Sequence, residues 1–168
     1  MGARSAPRSP VPASATGQRS RWRSASGHTF SHVELFNHGG RPAVLDGVEL
    51  VGGDGGLEII GALAAERPAL PGCNSAGAER FPPPCDWDME PLEGFVIPPA
   101  SAFQGRIVCV ILGLRSTHPG VATSQGVAIH YHVGDRSYTY VDPYSLAFCT
   151  HDVPRRDCVA PDPVRSMP

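Results

Sequence analysis

The chain contains no lysine. All 14 of its basic residues are arginine, and asparagine occurs only at Asn37 and Asn74. A solvated surface accepts either cation, so this skew excludes no function and is read as GC-rich ancestry. Long apolar runs are missing too: the longest, Ile107 to Leu114, falls far short of the roughly 20 residues a membrane helix needs. Charge is sparse at 18% of residues, against about 25% in an average domain. Glycine (19) and proline (18) together make about 22% of the chain, close to twice the usual share. This composition disfavours a coiled coil, a helix bundle and a membrane-spanning helical protein.

Catalytic signatures are also wanting. No Gly-x-Ser-x-Gly elbow occurs, and Gly52 to Gly56 has neither the lysine nor the following helix of a phosphate loop. The formal net charge of −2 gives no general drive toward nucleic acid or an anionic membrane. That charge is unevenly spread. Residues 1–27 carry five arginines and no acid, whereas the rest carries nine arginines and all 16 acids.

What is present reads as three segments. Residues 1–27 are Ser, Ala, Arg and Pro, too poor in apolar surface to offset chain entropy, and are expected to be disordered. No apolar stretch of 7–15 residues follows the arginines, so the segment does not read as a signal peptide. Residues 28–149 read as short strands separated by turns, with a Pro/Gly-rich insertion at 66–93. Residues 150–168 read as a tail with no apolar periodicity.

Within the middle segment, Val33 to Asn37 alternates as a strand before the turn cluster Asn37 to Pro42. Ala43 to Val51 is a second strand, closed by the turn Gly52 to Gly56. Leu57 to Ala65 fits a helix or a strand, and its place between turns favours the strand. Phe95 to Ile97 is short and stopped by Pro98-Pro99. Gly105 to Arg115 is the strongest strand, apolar throughout as a strand buried on both faces must be. Ser116 to Ser124 is expected to be a loop, and Tyr144 to Cys149 an edge strand.

The clearest local signal is a hairpin. Gly126 to Val133 and Arg136 to Asp142 flank the two-residue loop Gly134-Asp135, with glycine where a type II′ turn needs it. This register sets Tyr131 opposite Tyr138 and Ile129 opposite Tyr140 on one face. His132 then opposes Ser137, and His130 opposes Thr139, on the other. Seven or eight short strands with regularly spaced turns predict an all-β, antiparallel Ig-like β-sandwich. An α/β fold lacks the helices needed to cover parallel strands.

The segment Val33-Glu34-Leu35-Phe36-Asn37-His38-Gly39-Gly40-Arg41-Pro42, followed by Leu45-Asp46-Gly47-Val48, resembles the opening of Ig-like sandwiches. Ile97-Pro98-Pro99-Ala100 before a long apolar strand, then Val133-Gly134-Asp135-Arg136-Ser137-Tyr138, is similar to small uncharacterised actinobacterial proteins. The likeness spans roughly residues 28–149 and rests on structural turns. It implies a domain outside the membrane, which in those proteins follows an N-terminal apolar helix that this sequence does not show. It carries no catalytic residues.

Two sets of side chains stand as candidate sites. Cys73 and Cys85 frame a Pro/Gly segment with little else to hold it, and a bridge between them would remove roughly 2.5–3 kcal/mol of unfolded-chain entropy. Such a bridge points to an extracytoplasmic or secreted protein, whereas free thiols there would leave the cytoplasm. Cys149 with Cys158 is a lesser pairing, and Cys109 reads as a buried apolar residue. His130 and His132 share one strand face and could ligate Zn²⁺ or Cu²⁺ with His151 or Cys149, or simply face solvent. Asp86, Asp88, Glu90 and Glu93 form an acidic run without the glycine of a calcium loop. Phe81, Trp87 and Pro82 to Pro84 either form a partner patch or fold back on the sandwich. The expectation is a non-enzymatic binding or accessory domain with no cofactor, an unknown protein or cell-envelope partner, no nucleic acid and no membrane span. The alternative is a metal-binding domain using His130 and His132.

Overall fold

The computed structural model describes residues 18–21, 27–68, 80–84, 86–102, 106–150 and 152–164. These form eleven strands: β1 (Gln18–Arg21), β2 (His28–Leu35), β3 (Ala43–Val51), β4 (Leu57–Pro68), β5 (Glu90–Pro91), β6 (Val96–Ile97), β7 (Arg106–Ser116), β8 (Val121–Ser124), β9 (Gly126–Val133), β10 (Arg136–Asp142) and β11 (Leu146–Cys149). One 3-10 turn, Ala100–Ala102, is the only helical element among the described residues. The chain is all-β and its sheets are antiparallel, except that β1 runs parallel to β11.

Two four-stranded sheets, ordered β10-β9-β3-β6 and β2-β7-β4-β5, carry most of the core. Strand β7 explains how they share it. Its apolar run is buried from Ile107 to Leu114, and alternate side chains leave on opposite faces. Val108, Val110, Leu112 and Leu114 join the main core with Val33, Leu45, Val127, Ile129, Leu146 and Phe148. Ile107, Cys109 and Ile111 join a second cluster on the other face with Ala65, against which Leu63, Phe81, Trp87 and Met89 pack. A strand buried on both sides must be apolar at every position, so the sequence pattern and the packing agree.

The second cluster shows what the 66–93 insertion does. Phe81 lies over Gly61 and Gly113, which pair across β4 and β7; a Cβ at either glycine would collide with its ring. The two glycines therefore leave a slot that one phenyl ring fills. The Thr29 hydroxyl donates to the Arg80 carbonyl at 2.7 Å, and the Arg67 guanidinium sits 4.7 Å from the centre of the Trp87 ring. Of the two readings of Phe81 and Trp87, the structure shows the segment folded back onto the sheet.

Several expectations are corrected. Eleven strands replace seven or eight, because β1, β5 and β8 are short pieces defined by backbone pairing and not by apolar pattern. The expected loop at 116–124 contains β8. Tyr144 to Cys149 supplies β11, which is the centre of the three-stranded sheet β1-β11-β8 and not an edge. The tail is also docked. Cys149 and Cys158 form a disulfide, packed with Ala147, Val121, Val153 and Ala160. The Val164 N–H donates to the Gln125 carbonyl at 3.0 Å. Most of residues 1–27 lie outside the described residues, and the expectation of disorder there lies with them. Gln18–Arg21 is the exception as strand β1.

Bulges shift the phase of three strands, β2 between Phe30 and Val33 being the first. In β3, Ala43 and Leu45 face the core, the register slips at Asp46, and Val48 and Leu50 then take over the inward face. The same happens in β4 between Ile59 and Gly61. Between them, the turn Gly52 to Gly56 has positive φ at Gly52, Gly53 and Gly55. Asp54 accepts N–H bonds from Gly56 and Thr123, each at 2.9 Å, tying this turn to β8. Partial burial raises the Asp54 carboxyl, but the N–H groups of Thr123 and Gly56 outweigh it, so its pKa lies below the ordinary value.

Candidate functional site

The β9–β10 hairpin builds the site, and it forms in the register expected from the sequence. Tyr138 pairs with Tyr131, Tyr140 with Ile129, Ser137 with His132 and Thr139 with His130. Gly134 has φ 61° while Asp135 stays at negative φ, which distinguishes a type II′ turn from type I′. The inner face carries the tyrosines; the outer face carries the histidines.

On the inner side a cleft of about 520 Å³ opens between β2 and the hairpin. Buried Ala43, Leu45, Ile97 and Ile129 form its bottom. Tyr131, Tyr138 and Tyr140 line one wall, with Tyr131 and Tyr138 stacked at 5.4 Å and 20° between planes. The rim is the loop from Asn37 to Arg41, with Phe36 stacked on His38 at 6.1 Å. Asn37 makes that rim rigid: its amide donates to the carbonyls of Arg41 (2.8 Å) and Ile97 (3.2 Å), and its oxygen accepts from the Gly39 N–H (2.9 Å). The Arg41 guanidinium lies against Gly134, where any Cβ would collide with it.

Three tyrosines hold their protons firmly. Burial, then the Asp142 charge and a hydrogen bond to it, push the Tyr140 hydroxyl up to about 12. Burial raises Tyr131 and Tyr144 as well, helped by Tyr138 and by Asp142 respectively. Asp142 is raised chiefly by burial and further by Glu34, against the opposing bonds from the Tyr144 N–H (3.0 Å) and the Tyr140 hydroxyl. The cleft therefore presents the Tyr131 and Tyr140 phenols, both with raised pKa, beside the Arg41 and His38 side chains. No carboxylate, thiol or serine lines it among the described residues.

The histidine pair lies on the outer face, away from the tyrosines. His130 sits 3.0 Å from the Thr139 hydroxyl through Nδ1 and 3.3 Å from Glu49 through Nε2. His132 Nδ1 lies 2.6 Å from Asp46, the residue displaced outward by the β3 bulge. Each imidazole has its own carboxylate, so the two rings do not share one. Among the described residues no group of three or more His, Cys, Asp or Glu side chains could hold a metal ion. His151 lies outside the described residues. Asp86, Asp88, Glu90 and Glu93 are exposed.

Cys73 and Cys85 also lie outside the described residues, and the bridge expected between them with them. Cys109, expected to be a plain buried thiol, is fully buried and disulfide-bonded. The aromatic cleft was not among the expected sites. Its sequence signal was available in the inward-facing Tyr131, Tyr138 and Tyr140, but the partner wall comes from residues about 100 positions away and has no local pattern.

Compared with known proteins, the chain matches no protein-family model, and no curated protein is significantly similar to it.

Proposed function

We propose that this chain is a non-enzymatic binding domain with an Ig-like sandwich that works outside the cytoplasm. The observation that carries the reading is the cleft of about 520 Å³ between β2 and the β9–β10 hairpin. Its size falls within the range of small-molecule sites, and its bottom is apolar with polar groups at the edges. Its rim is held by the three Asn37 hydrogen bonds, so the site is formed before any ligand arrives. Among the described residues the lining holds no acid, thiol or serine, which favours binding over nucleophilic chemistry. The Cys149–Cys158 disulfide supports an oxidising compartment. No helix among the described residues is long and apolar enough to cross a membrane.

A ligand-observed NMR screen of small aromatic and aliphatic compounds against the full chain tests this reading. Hits should be lost in Tyr138→Ala and kept in His130→Ala. Elemental analysis of protein purified without a histidine tag tests the metal alternative. Stoichiometric zinc or copper, lost in His130→Ala, would replace the cleft with the histidine face as the functional site.

A further inference from the structure

The cleft has a charge asymmetry that narrows its ligand. Among the described residues, Arg106 pairs with Glu66, Arg115 with Glu58 and Arg156 with Asp157, Arg67 stacks over Trp87, and Arg41, Arg80, Arg136 and Arg155 meet no carboxylate. Of these last four, Arg41 alone lines the cleft. Asn37 bonds its carbonyl, and glycine at 134 leaves the space that its guanidinium occupies. The only other chargeable lining groups are His38 and the tyrosines.

We infer that the cleft binds an organic anion, with its acidic group on Arg41 and a planar or apolar body along Tyr131 and Tyr138. This rests on the cleft being the binding site. A guanidinium presents paired N–H donors matched to a carboxylate or phosphate. The stacked tyrosine rings offer a flat, low-entropy wall on which a planar body gains contact area. Burial raises the Tyr131 pKa, so its hydroxyl adds a donor without adding negative charge. The Asp142 and Glu34 carboxylates do not line the cleft; Asp142 acts on its Tyr140 end, which leaves the Arg41 end for the acidic group.

The test uses two probes of one shape, indole-3-acetate and the neutral indole-3-acetamide, titrated into the full chain and followed by ¹H–¹⁵N NMR. The acetate should bind at least about tenfold tighter, weaken as salt rises, and shift the signals of Arg41, Tyr131 and Tyr138. Arg41→Gln should make the two probes equal while leaving the melting temperature within about 1 °C, because Arg41 is exposed and breaks no ion pair when replaced. If the acetamide binds the same signals as tightly as the acetate, the anion preference is wrong and the cleft remains a binding site. If the acetate binds Arg41→Gln as tightly as the parent, Arg41 is not the recognising group. If neither probe moves the cleft signals, the inference and the cleft reading fall together.

Discussion

Two surfaces of this molecule meet the same problem, a sheet face that needs an aromatic cover, and solve it in opposite ways. On the outer face of β4 and β7 the chain supplies its own cover: Phe81 fills the slot over Gly61 and Gly113, and Trp87 and Met89 complete it. On the inner side of the β9–β10 hairpin the tyrosines line a cleft with a braced rim and an arginine, Arg41, that meets no carboxylate among the described residues. Where the insertion reaches, burial is completed within the chain. Where it does not, surface of the kind that recognises ligands stays accessible. The contrast teaches that aromatic content alone does not mark a site; what matters is whether the chain itself fills the space.

The strongest effect should come from the strand both regions depend on. Leu112→Ala removes a fully buried side chain from the inner face of β7 and should cost about 3–4 kcal/mol by urea denaturation. Next is the C-terminal staple. Loss of the Cys149–Cys158 bridge in a Cys149→Ser/Cys158→Ser double variant should cost about 2.5 kcal/mol for a loop of this length. Non-reducing peptide mapping should recover Cys149 joined to Cys158 and show Cys109 in a second linkage with Cys73 or Cys85, the remaining cysteines. A Cys73–Cys85 peptide with a free Cys109 would contradict that second linkage.

The comparison itself is sharpened by matched truncations. Phe81→Ala empties a slot the fold was shaped around and should cost about 2 kcal/mol, since the ring is only half-buried. Tyr138→Ala, on the open cleft, should cost about 1 kcal/mol, the worth of a stacked pair at a partly exposed site. Equal losses would mean that the cleft tyrosines are core residues and not a ligand wall.

Much of the fold was legible in the sequence because local rules determine it. The β9–β10 register follows from a two-residue glycine turn and period-2 alternation, and β7 from an uninterrupted β-branched run. The bounds of β3 follow from turns on both sides. What was not legible depends on distant partners. β8 has four residues, and its pairing with β11 gives no local apolar pattern. The start of β2 was missed because His28, Thr29 and Ser31 are polar and yet buried. The β3 bulge at Asp46 is invisible to alternation, although it turns Asp46 toward His132. The histidine pair was legible as two residues on one face, but the separate carboxylates that engage them come from another strand.

The smallest effect is one of pH. The Tyr140 proton is held to about 12 against an ordinary value of 10. Below pH 10 the folded and unfolded chains both keep it, and stability does not depend on it. Between 10 and about 12 the unfolded chain loses the proton first, so stability should fall as pH rises. Melting curves across that window should show the fall, and Tyr140→Phe should reduce it, leaving the part that Tyr131 and Tyr144 contribute.

The hairpin side is an open cleft, whereas on the insertion side Phe81, Trp87 and Met89 cover the sheet. Chemical-shift mapping with a mixture of small aromatic fragments tests this contrast in one spectrum series. Signals from Tyr131, Tyr138, Arg41 and His38 should move together and saturate, while those of Phe81, Trp87 and Gly113 stay fixed. Saturable shifts at Phe81, Trp87 and Gly113, with the hairpin unmoved, would contradict the account and make the insertion the binding surface.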